Sequence, residues 1–217
     1  VLRTLRLVAP DETVTGQYRA GAILGQPVPG YDEELGQPSD TETFVAIKAH
    51  LDNWRWKGVP FYLRTGKRMA SKLSEVVISF KPQPHNIFHA TYSHLPANKL
   101  IIRLQPDEGV EIQVLNKIPG LGESMRLQES KLDLSFDETF KSQRIADAYE
   151  RLLLEAMLGN QYLFVRRDEV EHAWKWVDGI LDAWKTSNEP PKTYQAGSWG
   201  PVASISMLAR DDRNWEE

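Results

Sequence analysis

The chain has 217 residues, 41% hydrophobic and 26% charged, which fits one globular domain with an apolar core. Its 26 Lys and Arg residues against 30 Asp and Glu residues give a formal net charge of -4. The chain therefore lacks the excess of basic residues that is typical of nucleic-acid-binding domains. The sequence has no cysteine and no apolar run near the ~18 residues of a membrane span, so we predict a soluble cytoplasmic protein without membrane contact.

The first forty residues predict little regular structure. Residues 13–18 form a candidate strand, and the run from there to Asp40 is rich in Gly, Pro and acidic residues without a periodic pattern. This run is either a flexible surface connection or an ordered loop. The chain begins inside an amphipathic pattern without an initiator methionine, and we interpret it as part of a longer chain.

Residues 41–135 carry most of the strand signals. Short runs rich in branched and aromatic residues are separated by breakers such as Gly58, Pro82 and Pro84. The clearest hairpin joins two alternating runs through a turn at residues 106–109. The predicted strands cover residues 44–51, 59–64, 74–81, 100–105, 110–115 and 127–135.

Two amphipathic helices follow the strands. Apolar residues from Ile145 to Ala156 recur at helical spacing, and a glycine three residues later can end that helix. Asp168 and Glu171 are spaced as a capping pair for a second helix. Trp174 and Trp184 fall on its apolar face and are predicted core residues.

Together these elements indicate the fold class. Consecutive hairpins predict a mostly antiparallel sheet, and amphipathic helices need an apolar surface to cover. The sequence therefore predicts an α+β fold, with a large, mostly antiparallel β-sheet and helices packed on one face.

A basic turn follows one of the predicted strands. Four cations fall within nine positions around a glycine that permits a tight backbone: Arg64, Lys67, Arg68 and Lys72. Lysine ammonium groups on such a turn can bind a phosphate as point charges. A solvated basic loop is the commoner origin of such a pattern, so the spacing leaves both interpretations open.

Histidine spacing does not indicate a metal site. His85, His89 and His94 lie in a polar, Pro-containing stretch without the i, i+4 spacing of a zinc enzyme, and we predict no metal. Trp54 and Trp56 flank an arginine, where an aromatic shelf could stack on a sugar. One indole packed inward and one outward is the commoner arrangement.

Six long segments carry a resemblance to a known family: TETFVAIK, DNWRWKGVPFYLRTGK, LIIRLQPDEGVEIQVLNKIPG, DAYERLLLEAMLGN, FVRRDEVEHAWKWVD and YQAGSWGPVAS. They are in order and span nearly the whole chain, which resembles glucose-6-phosphate dehydrogenase of bacterial type. The resemblance implies oxidation of glucose 6-phosphate to 6-phosphogluconolactone with NADP, in the oxidative pentose phosphate pathway. It also implies a homodimer or higher homo-oligomer formed through the β-sheet.

The resemblance assigns candidate site residues. Lys67 and Lys72 match family positions that contact the substrate phosphate, and Gln105 matches a position near substrate or cofactor. Arg64 matches an arginine that in some relatives contributes to a second, structural NADP site, and it is the one cofactor-binding candidate.

A second NADP site is not expected in this chain. Relatives that have it carry extra basic or tyrosine residues just after these motifs, where this chain has Leu73 and Val77, and Glu111 and Gln113. Carboxylate and amide groups do not replace cations opposite a phosphate. We therefore predict no structural NADP.

The nucleotide-binding half of the family has no counterpart in this sequence. No G-x-G-x-x-G turn occurs, and the family's catalytic histidine and its aspartate partner find no match. Residues 1–217 are thus predicted to be the C-terminal substrate-binding and dimerisation domain without the N-terminal Rossmann domain. We predict that the chain has no catalytic residue, binds no cofactor and is inactive alone.

Two alternatives remain open. A noncatalytic carbohydrate-binding module would bind neutral sugars without phosphate. A purely structural dimerisation module would leave Lys67 and Lys72 binding nothing by themselves.

Overall fold

The computed structural model describes residues 1–86, 88, 91–120, 126–141, 144 and 146–216. They form two compact units, the first made of Val1–Ser71 and Leu152–Glu217 and the second of Lys72–Arg151. The described strands are β1 (Thr13–Arg19), β2 (Gly21–Ile23), β3 (Gln26–Val28), β4 (Phe44–His50), β5 (Pro60–Gly66), β6 (Ser74–Ser79), β7 (Lys99–Gln105), β8 (Gly109–Lys117), β9 (Leu127–Ser135) and β10 (Lys192–Gln195). The described α-helices are α1 (Tyr31–Leu35), α2 (Phe136–Thr139), α3 (Ala148–Leu158), α4 (Arg167–Ser187) and α5 (Val202–Ala209).

The first unit is organised around a four-stranded sheet in the order β10-β1-β4-β5. β4 pairs antiparallel with both β1 and β5, whereas β10 pairs parallel with β1. Phe44 and Ala46 alternate along β4 and are both buried, as expected where one sheet face meets a core. Apolar helix α5 contributes Met207 and Leu208 to the same core. Two short elements from the C-terminal part of the sequence, β10 and α5, therefore complete this sheet and its core.

The segment before Asp40 contains regular structure, so the sequence prediction of a flexible connection or an ordered loop is wrong there. β2 and β3 form a hairpin whose turn contains Leu24 and Gly25, both in the left-handed region. Helix α1 follows and ends at Gly36, which also has positive φ. The glycines at 21 and 25 belong to this hairpin, and no helix follows them directly.

Helix α4 differs in two respects from its sequence prediction. Its N-cap is Arg166, whose backbone N–H donates to the Glu169 carboxylate at 3.0 Å, so the predicted Asp168/Glu171 capping pair is wrong. Trp174 is 60% exposed, so its predicted core position is also wrong. The buried residue of this helix is Ile180. Trp174 precedes it by six residues, which at 3.6 residues per turn places the two side chains about 240° apart around the helix axis, on different faces.

Trp184, four residues beyond Ile180, is on the inward face. Its indole N–H donates to the Thr13 hydroxyl at 3.0 Å, which ties α4 to the start of β1. Helix α3 begins at Ala148 among the described residues, and Ile145, the first residue of its predicted apolar face, lies outside them.

The second unit contains an antiparallel sheet in the order β6-β7-β8-β9. Its register places apolar side chains opposite one another on one face, because residues two apart on a strand share a face. We call this the apolar face: Val76, Ile78, Leu100, Ile102, Val110, Ile112, Leu132 and Leu134. The other face carries charges, with Arg103 paired to Asp133 and Lys131 paired to Glu111.

The predicted α+β class is confirmed, as is the mostly antiparallel pairing. The strands are divided between two four-stranded sheets and a two-stranded hairpin. The predicted hairpin between residues 100 and 115 is β7–β8, and β9 has the predicted bounds. None of the described helices is both long enough and apolar enough to cross a membrane.

Candidate functional site

The basic turn begins where β5 ends. Gly66 is the last strand residue, and a Cβ there would lie 2.5 Å from the Met69 sulfur and 2.9 Å from a ring carbon of Phe44. Both distances are far below van der Waals contact, so this position accepts only glycine without a shift of its neighbours. Because position 66 is glycine, the turn can pack directly against the buried core.

Hydrogen bonds fix the backbone of Lys67 on both sides. Its N–H donates to the Thr43 carbonyl at 2.8 Å, and its own carbonyl accepts from the Tyr194 hydroxyl at 2.7 Å. Two further backbone hydrogen bonds join the turn to the loop after β10: Gly197 N–H donates to the Arg68 carbonyl, and Ala70 N–H donates to the Ser198 carbonyl. The start of β4 and the loop after β10 thus hold the turn in place.

Arg68 is engaged within the fold. Its backbone is left-handed, with φ of 50°, and its guanidinium contacts Glu34 of α1 at 2.5 Å. The Tyr18 hydroxyl donates to the same carboxylate at 2.7 Å. The Tyr18 hydroxyl and then Arg68 hold the pKa of Glu34 below its ordinary value, which keeps this partner ionised. Arg68 therefore has a charge partner already.

Lys67 differs from Arg68. Its side chain is exposed, and its ammonium forms no ion pair within the described part of the chain. A fixed backbone with an exposed, uncompensated ammonium is the geometry that an anion-binding lysine requires. Of the predicted site residues in the first unit, Lys67 best fits a phosphate contact.

Arg64 lies on β5 between two indoles. Its guanidinium carbon is 5.0 Å from the ring centroid of Trp199 and 4.6 Å from that of Trp215. One of its amino groups donates to the Glu216 carbonyl at 3.1 Å. Two indoles within cation–π range and this hydrogen bond therefore engage the guanidinium within the chain.

Lys72 and Gln105 lie in the second unit. Gln105 ends β7 and pairs with Ser74 at the start of β6, two residues beyond Lys72. Both side chains are exposed, and Lys72 has no ion pair among the residues that the structure describes. The register therefore brings these two predicted residues to the same end of the second sheet.

The supporting residues of the turn were missed at the sequence level. Thr43 and Tyr194 lie within segments that resemble the family, yet no local pattern connects either of them to Lys67. The Tyr194–Lys67 hydrogen bond joins residues 127 positions apart. β10, which carries Tyr194, joins the sheet through its parallel pairing with β1.

Several histidines and tryptophans lie outside the turn. Within the described residues no three His, Cys, Asp or Glu side chains are grouped to hold a metal ion. His172 accepts a hydrogen bond from Arg3, and His89 lies outside the described residues. Trp54 is fully exposed, whereas Trp56 packs edge to face on Phe61, so one indole lies outward and one inward.

Fold and site together define an α+β domain that presents an exposed lysine on an immobilised basic turn. A family model described as "Glucose-6-phosphate dehydrogenase, C-terminal domain" matches residues 1–216. The chain therefore belongs to the glucose-6-phosphate dehydrogenase family and corresponds to its C-terminal domain, which confirms the resemblance.

Individual relatives agree with this assignment. Glucose-6-phosphate 1-dehydrogenase of Dickeya dadantii (strain 3937) is 64% identical over 223 residues, and that of Rhizobium meliloti (strain 1021) is 56% identical over 222 residues. A solved structure of "Glucose-6-phosphate dehydrogenase in complex with its substrate glucose-6-phosphate" superposes with a TM-score of 0.86 at 32% identity, covering all of this chain and 44% of that one. The alignments with both bacterial relatives cover all of this chain but 45% of each relative, so it spans less than half of their length.

Proposed function

We propose that this chain is the substrate-binding and dimerisation domain of a longer cytoplasmic enzyme, one that oxidises glucose 6-phosphate to 6-phosphogluconolactone with NADP. Lys67 and Lys72 are the proposed phosphate contacts, and Gln105 is the proposed neighbour of substrate or cofactor. The chain contributes no catalytic residue, and alone it is inactive.

The geometry of Lys67 carries the proposal. A lysine on a fixed backbone binds an anion with little loss of backbone freedom, because the turn is already ordered before the ligand arrives. A charge-assisted hydrogen bond to a phosphate contributes about 1.5–3 kcal/mol, or roughly 10- to 150-fold in affinity. The names of the relatives support glucose 6-phosphate as the sugar phosphate.

The chemical step explains why the domain is inactive alone. Oxidation of the C1 hydroxyl transfers a hydride to NADP and a proton to a general base. In the described residues the glycines at 21 and 25 lead into a hairpin, which offers no helix N-terminus for a dinucleotide pyrophosphate. The base and the nucleotide site would both be supplied by the rest of the longer enzyme.

Steady-state kinetics of a full-length enzyme that carries this domain test the role of Lys67. Lys67→Ala should raise KM for glucose 6-phosphate at least about tenfold and leave KM for NADP nearly unchanged. Lys57→Ala is the matched control, because Lys57 is an exposed lysine on the loop before β5. An unchanged KM for Lys67→Ala, or equal rises in both variants, would remove the assigned role.

The apolar face of the second sheet supports the proposed homo-oligomer. Exposed apolar side chains on this face come from central as well as edge strands of the sheet: Val76, Ile112, Leu132 and Leu134. An apolar patch of this extent on a folded protein is typical of an interaction surface. We propose that a second copy covers it, which makes the assembly a dimer or a higher homo-oligomer.

A further inference from the structure

We propose that Tyr194 is a positioning residue, whose buried hydroxyl holds the Lys67 backbone where the ammonium can meet the substrate phosphate. This inference rests on the proposed phosphate contact of Lys67. It adds a residue from β10 that makes no contact of its own with the substrate.

Tyr194 is fixed before it acts on the turn. Its side chain is buried in the core of the first unit, and its ring centroid lies 5.6 Å from that of Phe44 and 6.3 Å from that of Tyr18. Side chains in such packing interdigitate with their neighbours and lie in rotamer minima. The position of the hydroxyl is therefore set by the core.

The hydroxyl has two possible acceptors and favours one of them. It lies 2.7 Å from the Lys67 carbonyl and 3.2 Å from the Thr43 carbonyl, so the shorter and stronger bond goes to Lys67. The Thr43 hydroxyl lies 3.1 Å from the same oxygen and accepts from the Tyr18 N–H, which leaves its own proton free for Tyr194. A directed chain therefore runs from Thr43 through Tyr194 to Lys67.

Protonation keeps this chain intact. Burial raises the pKa of Tyr194, so the hydroxyl remains a donor throughout the physiological pH range. Without the hydroxyl the Lys67 carbonyl would lose its donor beside the core, and the turn would have to shift to reach water. A shift of about an ångström in a contact residue is enough to weaken its interaction with substrate strongly.

Tyr194→Phe in a full-length enzyme that carries this domain tests the inference. We expect KM for glucose 6-phosphate to rise about five- to tenfold, with kcat changed less than about twofold and KM for NADP unchanged. Tyr62→Phe is the matched control, because its hydroxyl donates to Asp211 at 2.5 Å, also in the first unit but away from the turn. Equal KM values for Tyr194→Phe and the parent, or equal rises in both Tyr→Phe variants, would overturn the inference.

A double-mutant cycle separates this inference from the proposed function. If Tyr194 acts through Lys67, Tyr194→Phe should have little further effect on KM in the Lys67→Ala background. The same factor in both backgrounds would overturn the positioning role while leaving the phosphate contact in place. An unchanged KM for Lys67→Ala alone would instead overturn the proposed function.

Thr43 provides a second test should Tyr194→Phe fail to fold. Thr43→Val removes the hydroxyl that supports Tyr194 while keeping the shape of the side chain, and should raise KM for glucose 6-phosphate about two- to threefold. Thr43→Ser retains the hydroxyl and should restore the parent KM. Identical KM values for these two variants would overturn the inference.

Discussion

The two four-stranded sheets differ in what covers their apolar side chains. In the first sheet, Phe44 is 1% exposed and lies in a core completed by α5 and β10. In the second sheet, Leu132 is 64% exposed, on a strand where it lies between two charged residues. Apolar strand residues thus lie in a closed core in one unit and on an open apolar face in the other.

This difference shows which part of the domain is complete by itself. The first unit closes its core with residues from both ends of the chain and holds the Lys67 turn against that core. The second unit presents one face with paired charges and one apolar face. We therefore expect substitutions in the first unit to change stability, and substitutions on the apolar face to change association.

The sharpest contrast is between two phenylalanines. Phe44→Ala should lower the free energy of unfolding by about 3–5 kcal/mol, because it leaves a cavity in a closed core. Phe80→Ala is the matched change in the second unit, where Phe80 is 50% exposed, and it should cost less than about 1.5 kcal/mol. Urea unfolding of each variant measures both values, and similar losses would contradict the proposed difference between the two units.

The apolar face can be tested by association. Leu132→Lys should weaken self-association at least about tenfold, because it would place a charge in the desolvated contact proposed for this face. Glu129→Lys is the control on β9, since its partner in the register is Leu115, on the opposite face from Leu132. Sedimentation equilibrium of both variants gives the dissociation constants, and an unchanged constant for Leu132→Lys would place the interface elsewhere.

The charged face of the second sheet should make the free energy of unfolding depend on pH in the acidic range. The Gln113 amide, and then Lys131, hold the pKa of Glu111 below its ordinary value against the opposing effect of burial. A carboxylate with a lowered folded pKa stabilises the fold above its unfolded pKa and loses that contribution as the pH falls through the folded one. Between about pH 5 and pH 3 the free energy of unfolding should therefore fall less in Glu111→Gln than in the parent.

Exposed Glu129→Gln is the control for this pH dependence. Urea unfolding of the parent and of both variants at several pH values gives the slopes. Equal slopes for Glu111→Gln and the parent would contradict the assigned role of the Glu111 carboxylate.

The smallest effect is expected at Trp174. Because it is 60% exposed on α4, Trp174→Ala should change the free energy of unfolding by less than about 1 kcal/mol. Trp184→Ala should cost at least about 2 kcal/mol, because Trp184 lies inward and donates to Thr13. Thermal unfolding of both variants checks the order, and a larger loss at Trp174 would show that its exposed indole has a partner.

Strong local patterns made much of the fold predictable. Alternation along residues 127–135 predicts β9 with its observed bounds, and the β7–β8 hairpin follows from its turn. β10 has four residues and the β2–β3 hairpin has three in each strand, too short for a periodic signal. Trp174 was misplaced because several aromatic and apolar residues share α4, and only tertiary contacts decide which of them lies inward.

The candidate site was predictable in its residue types alone. The TGK turn indicates cations that could meet a phosphate, and the family resemblance names Lys67 and Lys72. The sequence could not tell that Arg68 pairs with Glu34 or that Arg64 lies between two indoles. These contacts join residues that are far apart in the sequence. They show that Arg64 and Arg68 are engaged within the fold, whereas Lys67 is available to a ligand.

Calorimetric titration tests the phosphate contact of Lys67 most directly. A full-length enzyme that carries this domain would be titrated with glucose 6-phosphate and with glucose, as the parent and as Lys67→Ala. We predict that Lys67→Ala weakens binding of glucose 6-phosphate at least about tenfold and leaves glucose binding unchanged. Unchanged affinity for glucose 6-phosphate, or equal weakening for both ligands, would contradict it.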